Sequence, residues 1–470
     1  MSMSISHLGD LDFADKRVTV VGLGVEGFDL ASYLSRHGAD VTVSDAKTPE
    51  KLGSRVSDVE RLGVHLSLGK NDARAISEAD ALFVSQGVPL DLPPLMEARE
   101  RGVPFASMVS LFLELCTGPI VGITGSSGKT TTTALVGEMF QADERPVFVG
   151  GNIGVGLLDD LPAVRPYTWT VLELSHTQLQ LVERSAHVAA VLNITPNHLD
   201  RFSWDEYREL KANAIRFQSA DDTTVLNHDD PECRALEPLV KGRLLWTTLG
   251  DALPVDGVLV RDGWASLRLG TEEQPLFDLD SLRLRGRHNA ANAVAAAAIA
   301  TACGVSPAAI ACAAETFAGE PHRLEHVAEI DGVNYYNDSI ATTPERTLAG
   351  LRSFDEPIVL LLGGRGKNLP VDDLVALAAQ RCREVILFGE AAPTLEAAFR
   401  KLSDTKPKVT RAEALPDAVA RASATARSGD VVLLSPAGTS YDAYDSFDQR
   451  GDHFRALVQA LVKEVATSPR

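Results

Sequence analysis

The hydrophobic positions of the chain group into short apolar runs, three of which are followed by a glycine turn and a helical pattern. Residues 17–46 (RVTVVGLGVEGFDLASYLSRHGADVTVSDA) indicate strand, glycine turn, helix and strand. Residues 119–140 (PIVGITGSSGKTTTTALVGEMF) and 356–380 (EPIVLLLGGRGKNLPVDDLVALAAQ) indicate strand, loop and helix. Such alternation predicts an α/β fold with mainly parallel sheets, whose ligands bind where the strands end in glycine turns.

The middle of the chain adds further elements to this pattern. YTWTVLELSHTQL and HVAAVLNITPNHLDRF predict two strands that end in polar residues, and short apolar runs between about residues 241 and 285 predict β-hairpins. An Ala-rich helix, HNAANAVAAAAIATACG, follows and ends at Gly304. Because 470 residues exceed one hydrophobic core, we predict three domains, at residues 1–115, 116–318 and 319–470.

Composition narrows the class of protein. Hydrophobic residues make up 45% of the chain, as in ordinary globular proteins, and the formal net charge is −19. This charge argues against binding to nucleic acid or to an anionic membrane. We expect no membrane insertion, because no apolar stretch reaches about 18 residues. Five scattered cysteines without a CxxC pair indicate a reducing cytoplasm.

The strongest single motif is GITGSSGKTT at residues 122–131. Its glycines allow backbone N–H groups to approach phosphate oxygens, and the following helix adds its positive N-terminal end. Lys129 can reach the terminal phosphates and Thr130 can offer a hydroxyl to Mg²⁺. Ile123 stands where the general P-loop has a glycine, so this is a shorter form. We predict an ATP phosphate loop made of Gly125, Ser126, Ser127, Gly128, Lys129, Thr130 and Thr131.

The N-terminal glycines give a weaker signal. Gly22, Gly24 and Gly27 form GLGVEG, and Asp45 falls where a ribose-binding acid would lie. The pattern fits a NAD-binding oxidoreductase, a tight turn that packs helix on strand, or a site for another phosphate-bearing ligand. The pattern alone leaves these three interpretations open.

The phosphate loop is one of a series of motifs that runs through most of the chain, from about residue 16 to 460. In order, they are GLGVEG (22–27), GITGSSGKTT (122–131), GGNIG (150–154), LELS (172–175), NITPNHLDR (193–201), KANAI (211–215), GRHNAAN (286–292), PHRL (321–324), NDSIAT (337–342), LGGRGK (362–367) and LSPAGTSYDAYDSF (434–447). This series resembles the Mur ligase family, and most of all its members that add D-glutamate to UDP-N-acetylmuramoyl-L-alanine. The resemblance implies a UDP-binding Rossmann-like domain, a central ATPase domain and a C-terminal Rossmann-like domain.

The resemblance also implies the catalytic centre. An ATP-dependent ligase of this kind uses two Mg²⁺ ions, and the alanine carboxylate attacks ATP to form an acyl phosphate that the amino acid's amine then attacks. The implied metal ligands are Thr130, Glu173, His198 and Lys211, the last as a carbamate. Lys129, His198 and Lys211 would be the catalytic residues, and Asn289, Arg323 and Asp338 would contact ATP.

Without the resemblance, several of these residues also have ordinary structural interpretations. A carboxylate such as Glu173 at the end of a buried strand is costly unless it is paired or metal-bound. A lone histidine such as His198 is more often structural than a metal ligand, and composition alone favours a solvated side chain for Lys211. Asn289, near the start of the Ala-rich helix, could be its N-cap.

The implied substrate sites lie in the outer domains. The UDP-sugar would contact Val25, Glu26 (through its backbone), Lys47, Gly87, Asn152 and Ser175. Glutamate would contact Thr342, Lys367, Ser440, Tyr441 (through its backbone) and Phe447. The substrates are all small molecules, and we expect a monomer.

One position departs from the family pattern, since Ile340 stands where the family commonly has lysine. Isoleucine cannot donate to a phosphate or carboxylate, so we hypothesise that Arg365 or another cation compensates. The departure also leaves open the interpretation that the chain is an L-glutamate-adding relative.

Two further classes of protein share part of the pattern. Folylpolyglutamate synthase uses the same chemistry but lacks the N-terminal domain. A regulatory P-loop ATPase would keep the phosphate loop but would not need the glutamate motifs.

Overall fold

The computed structural model describes residues 13–52, 54–152, 156–197, 201–319, 321–367, 369–402 and 407–467. It confirms the α/β prediction, because these residues form three mainly parallel sheets with intervening helices. The chain divides into two compact units, Met1–Ser281 with Ala291–Glu315 and Leu282–Ala290 with Thr316–Arg470. The domain boundaries near residues 115 and 319 stay a prediction.

The first sheet, as far as the structure describes it, has five parallel strands in the order β3-β2-β1-β4-β5. Gly27 lets the first helix pack closely on the first strand, because an added Cβ would lie 1.9 Å from the Gly22 carbonyl oxygen. The strands are β1 (Arg17–Val21), β2 (Asp40–Asp45), β3 (His65–Leu68), β4 (Ala81–Val84) and β5 (Phe105–Ala106). The helices are α1 (Val25–Arg36), α2 (Pro49–Leu52), α3 (Ser54–Glu60), α4 (Ala73–Ser77), α5 (Pro93–Glu100) and α6 (Met108–Leu115).

The second sheet has nine strands among the described residues, in the order β14-β13-β12-β11-β10-β9-β6-β8-β7. Pairing is parallel up to β12, and β12, β13 and β14 pair antiparallel, which confirms the predicted hairpins. The strands are β6 (Ile120–Thr124), β7 (Val147–Gly151), β8 (Trp169–Glu173), β9 (Val188–Val191), β10 (Thr223–Asn227), β11 (Arg243–Thr247), β12 (Gly257–Arg261), β13 (Trp264–Leu269) and β14 (Glu272–Asp278). The helices that follow in this part of the chain are α7 (Lys129–Ala142), α8 (Trp204–Arg216), α9 (Pro231–Arg234), α10 (Arg287–Ala302) and α11 (Pro307–Thr316).

The third sheet lies in the second unit, and its order over the described ranges is β15-β16-β20-β17-β18-β19. Only the β15–β16 pair within this sheet, as described, is antiparallel. The strands are β15 (Glu325–Ile330), β16 (Val333–Asn337), β17 (Ile358–Gly363), β18 (Cys382–Phe388), β19 (Lys408–Arg411) and β20 (Val431–Leu434). The helices are α12 (Pro344–Leu351), α13 (Asp372–Arg381), α14 (Ala392–Arg400), α15 (Leu415–Thr425) and α16 (Phe447–Thr467).

The central strands of all three sheets are almost wholly buried, as their continuous apolar sequences require. β6 and β17 have no exposed residue, so the polar residues that follow them stand at the edge of an apolar layer. Within the described part of the chain, no helix combines the length and apolar character needed to cross a membrane.

Candidate active site

The phosphate loop joins the end of β6 to the start of α7. Gly128 is the N-cap of α7 and adopts φ = 81°, a conformation that favours glycine. An added Cβ there would lie 2.2 Å from Asn292 Oδ1. Lys129 Nζ donates to the Gly125 carbonyl oxygen (3.0 Å), so its side chain folds back over the loop. The loop thus places a cation and the helix N-terminus together, as phosphate binding requires.

A neighbouring segment fixes the shape of this loop. Asn193 Oδ1 accepts from the Ser127 N–H (2.9 Å), and Asn193 Nδ2 donates to the Ser127 carbonyl (3.1 Å). Ser126 Oγ donates to the Thr195 carbonyl (3.0 Å) and hydrogen bonds with the Tyr207 hydroxyl (3.0 Å). The sequence alone indicates no role for Asn193, Thr195 or Tyr207, although Asn193 and Thr195 lie in the NITPNHLDR motif.

Lys211 is buried beside the phosphate loop, with 1% of its surface exposed, so the solvated-lysine interpretation is wrong. Its Nζ donates to Thr124 Oγ1 (3.0 Å) and to the Gly125 carbonyl (2.9 Å). Burial lowers the pKa of Lys211 well below the ordinary lysine value; the nearby Lys129 charge lowers it further, and Glu173 opposes both. An amine in this setting loses its proton more readily than a solvated lysine does.

Glu173 ends β8 and is buried at the same edge of the sheet. Its Oε1 accepts from Asn152 Nδ2 (3.0 Å), whereas Oε2 has no hydrogen-bond partner among the described residues. A buried carboxylate oxygen without a donor suits a bound cation. The described residues contain no group of three or more His, Cys, Asp or Glu side chains that could hold a metal. His198 lies outside the described residues.

A cavity of about 540 Å³ lies at the carboxyl ends of the first sheet's strands. Its lining includes most of the predicted UDP-sugar residues, namely Val25, Glu26, Lys47, Gly87 and Asn152. The remaining one, Ser175, donates from Oγ to Oε1 of the cavity residue Gln86 (3.1 Å). Asn152 Nδ2 also donates to Glu173, so one residue of the cavity wall contacts the end of β8.

Two acidic residues of this region hold the backbone. The Asp45 carboxylate accepts from the N–H groups of Leu23 (2.6 Å) and Lys47 (2.7 Å), which closes the turn after β1. The buried Glu26 carboxylate accepts from the Gln86 N–H (3.0 Å) and from Gln178 Nε2 (2.8 Å). Burial raises the pKa of Glu26, although both hydrogen bonds oppose the shift. The Glu26 side chain therefore braces the cavity wall.

In the second unit, the PHRL motif has a strained backbone around Arg323. His322 (φ = 64°) and Leu324 (φ = 46°) both adopt the left-handed conformation, which costs non-glycine residues roughly 1–2 kcal/mol each. Arg323 Nε is buried, and no described residue hydrogen bonds to it. Strain on both sides of a side chain with an unsatisfied donor indicates a residue held in place for a ligand.

Asp338 lies close to this motif at the end of β16. Its Oδ2 accepts from Ser435 Oγ (2.7 Å), and its Oδ1 accepts from the Leu324 N–H (3.3 Å). Burial raises the pKa of Asp338 to about 7, against the opposing effects of these hydrogen bonds and of the Arg323 and Arg346 charges. The structure thus brings Arg323 and Asp338 together, as the predicted ATP contacts require.

Asn289 does not cap the Ala-rich helix, so that interpretation is wrong. α10 begins at Arg287, and Asn289 lies in its first turn, where Nδ2 donates to the Arg285 carbonyl (2.8 Å). Both Asn289 and Asn292 are buried. Asn292, one turn further along, packs against Gly128 of the phosphate loop.

The predicted glutamate residues lie on three loops of the second unit. Lys367 Nζ donates to Thr342 Oγ1 (3.3 Å), so these two are adjacent. Ser440 is buried and Tyr441 is exposed. The Phe447 carbonyl at the start of α16 accepts from Ser339 Oγ (2.8 Å), which ties this residue to the NDSIAT motif.

A buried arginine, which the motifs alone do not reveal, joins two of these loops. Arg450 donates from Nε to Ser339 Oγ (3.0 Å), from Nη2 to the Ser339 carbonyl (2.8 Å) and from Nη1 to the Gly438 carbonyl (3.1 Å). Burial lowers the pKa of Arg450 to about 10. Its position three residues after Phe447 was the only sequence signal, and it does not reveal burial.

Comparison with known proteins identifies the family. Three family models match in order: "Mur ligase MurD-like, N-terminal domain" at residues 16–107, "Mur ligase middle domain" at 123–300 and "Mur ligase, glutamate ligase domain" at 322–438. The chain is 42% identical to a UDP-N-acetylmuramoylalanine–D-glutamate ligase from Symbiobacterium thermophilum, over 95% of this chain and 98% of that protein. The chain belongs to the Mur ligase family. As a Mur ligase it is an enzyme that forms peptide bonds, in a family that uses ATP.

Other relatives agree with this assignment. A Koribacter versatilis protein with the same name as the Symbiobacterium ligase is 36% identical to this Mur ligase, over 97% of this chain and 99% of its own. The fold also matches UDP-N-acetylmuramate-alanine ligase from Thermotoga maritima (20% identity, TM-score 0.56, 95% of this chain and 99% of that one). A UDP-N-acetylmuramoyl-L-alanyl-D-glutamate–2,6-diaminopimelate ligase matches with 16% identity and a TM-score of 0.58, over 98% and 100%. At such identities the structural likeness establishes the fold alone.

Proposed function

We propose that this Mur ligase joins D-glutamate to the alanine carboxylate of UDP-N-acetylmuramoyl-L-alanine, with cleavage of ATP to ADP and phosphate, in peptidoglycan precursor synthesis. The full-length relatives carry the name of that activity. The observation that carries the proposal is the position of Asn152, which lines the large cavity and donates to Glu173 at the end of β8. One residue thus links the wall of the cavity proposed for the nucleotide-sugar to the edge where ATP would react.

The phosphate loop would bind ATP, with Lys129 and the loop N–H groups facing its phosphates. Asn289, Arg323 and Asp338 would contact the rest of the nucleotide. The alanine carboxylate attacks the γ-phosphorus, ADP leaves, and the acyl phosphate forms. The amine of glutamate then attacks the acyl carbon and phosphate leaves. Positioning and neutralisation of charge supply most of such catalysis.

We propose a magnesium site at this edge of the sheet. Glu173 Oε2, which is buried without a hydrogen-bond donor among the described residues, supports a bound cation there. We infer from the family resemblance that Thr130, Glu173, His198 and Lys211 would hold two Mg²⁺ ions. Bound Mg²⁺ would neutralise the negative charge of the phosphates. Lys211 would serve as a carbamate, formed when its neutral amine adds CO₂ and releases a proton, and its lowered pKa favours the neutral amine.

The substrates would occupy separate surfaces. The nucleotide-sugar would contact Val25, Glu26 (backbone), Lys47, Gly87, Asn152 and Ser175. Glutamate would contact Thr342, Lys367, Ser440, Tyr441 (backbone) and Phe447. We place the enzyme in the cytoplasm as a monomer, with domains at residues 1–115, 116–318 and 319–470.

Phosphate release tests this proposal. Purified protein would be given ATP, Mg²⁺ and UDP-N-acetylmuramoyl-L-alanine, with D-glutamate or L-glutamate added in separate reactions. Release that depends on D-glutamate supports the proposal. Release with L-glutamate alone would retain the chemistry and overturn the specificity, which Ile340 makes a real alternative. Release with neither would overturn the proposed function.

A further inference from the structure

Ile340 leaves a predicted glutamate site without the lysine that the family commonly has there. The Ile340 side chain cannot bind an anion, but the Ile340 backbone carbonyl accepts two hydrogen bonds. The Thr342 N–H donates to that carbonyl (2.8 Å), and so does Arg346 Nη1 (3.1 Å). An arginine six residues further along the chain therefore reaches back to the position where the lysine is missing.

Arg346 lies in the first turn of α12 and is exposed. It approaches the same short segment as Lys367, which donates to Thr342 Oγ1 (3.3 Å). Burial lowers the pKa of Lys367, and the Arg346 charge lowers it further, so the two cations are close enough to repel each other. An anion bound between them would relieve this repulsion.

Arg365, which the sequence suggests as a replacement for the missing lysine, already forms an ion pair with Glu390. Its Nε and Nη2 donate to the two carboxylate oxygens of Glu390 (2.8 and 2.9 Å). This bidentate pair occupies the Nε–Nη2 edge of the Arg365 guanidinium and directs the side chain toward Glu390. Arg365 is therefore a poor replacement for the missing lysine.

We propose that Arg346 replaces the missing lysine and binds a carboxylate of the incoming amino acid, beside Lys367 and the Thr342 hydroxyl. Glutamate carries two carboxylates, so a site for it needs more than one cation or donor group. A guanidinium offers paired N–H donors that match a carboxylate. This inference rests on the proposed function, since it assigns a residue to the same glutamate site.

Arg346→Gln is the informative variant, because glutamine removes the charge and retains a donor for the Ile340 carbonyl. We expect the KM for glutamate to rise about tenfold or more, which corresponds to the loss of a charge-assisted hydrogen bond. The KM values for ATP and the nucleotide-sugar, and the thermal unfolding midpoint, should stay near those of the wild type. Arg352→Leu, at the other end of α12 and also exposed, is the matched control and should leave all of these unchanged.

A second variant tests the replacement itself. If Arg346 substitutes for the family lysine, Ile340→Lys combined with Arg346→Gln should recover most of the lost affinity for glutamate. An unchanged KM for glutamate in Arg346→Gln would overturn the inference. A rise in the KM for ATP alone would also overturn it, because Arg346 would then act through Asp338. A wild-type enzyme that responds to no amino acid would overturn the proposed function and this inference with it.

Discussion

At the scale of single residues, burial decides the chemistry of several side chains. Lys211 loses contact with water on α8 and donates to Thr124 and Gly125 instead. Asp338 is equally enclosed, and its pKa rises to about 7. Both residues come from motifs that the sequence showed, but neither motif reveals that its ionisable group is buried.

The carbamate proposed for Lys211 predicts that CO₂ is required for activity. Enzyme refolded in CO₂-free buffer should lose roughly tenfold or more of its rate, as loss of a metal ligand's support typically does, and bicarbonate should restore the rate. ¹³C NMR with labelled bicarbonate should show a carbamate carbon in the wild type and none in Lys211→Ala. A full rate without CO₂ would contradict the modification.

Asp338 predicts a pH dependence of stability. Its folded-state pKa of about 7 lies above the unfolded value, so the protonated form favours folding and its contribution is complete below about pH 4. As pH rises from 4 to 7, the wild type should lose on the order of 4 kcal/mol relative to Asp338→Asn. Denaturation curves of both proteins without ATP measure this difference. Parallel curves across that range would show that Asp338 does not titrate there.

The positive φ of Gly128 and its close approach to Asn292 predict that only glycine is tolerated at this position of the phosphate loop. Gly128→Ala should lower stability by roughly 1–2 kcal/mol through its positive φ, with a further loss from the clash with Asn292, and should abolish ATP binding. Gly24 is the matched control, because it is likewise the N-cap of a helix, α1, and no atom lies within 4 Å of an added Cβ. Equal unfolding free energies for the two alanine variants would contradict this account.

At the scale of elements, the first two sheets share a unit, and α1 contacts the segment after β7. Asp29 of α1 accepts from the N–H groups of Leu157 (2.7 Å) and Leu158 (2.9 Å). The buried carboxylate thus satisfies backbone donors that lie more than a hundred residues away. Packing between these elements depends on hydrogen bonds as well as apolar contact.

Asp29→Ala should therefore destabilise the protein by about 2 kcal/mol or more, since the backbone N–H groups of Leu157, Leu158 and Asp159 all lose their acceptor. The control lies in the same contact, where Arg36 pairs with Asp159 at the surface. Asp159→Ala should cost at most about 1 kcal/mol, as exposed ion pairs do. Urea denaturation compares the two variants, and a larger loss for Asp159→Ala would reverse the predicted order.

At the scale of the whole molecule, local pattern predicts the three glycine-ended strands and the antiparallel hairpins well. Apolar runs such as β6 and β17 can be buried only as central strands, and glycine turns fix where the ligands meet them. Local pattern does not predict which side chains of the candidate site are buried. The buried state of Lys211 depends on Thr124, 87 residues earlier, and Arg450 depends on Ser339, 111 residues earlier. Such distant contacts leave no periodicity in the chain.

The transfer of one oxygen atom tests the central claim most directly. UDP-N-acetylmuramoyl-L-alanine with both oxygens of the alanine carboxylate labelled as ¹⁸O would be converted in the presence of ATP, Mg²⁺ and D-glutamate. If the carboxylate attacks the γ-phosphorus, the released phosphate carries one ¹⁸O and the new amide retains the other, as mass spectrometry would show. Phosphate without ¹⁸O, or product formation without D-glutamate, would contradict an acyl-phosphate ligase of this specificity.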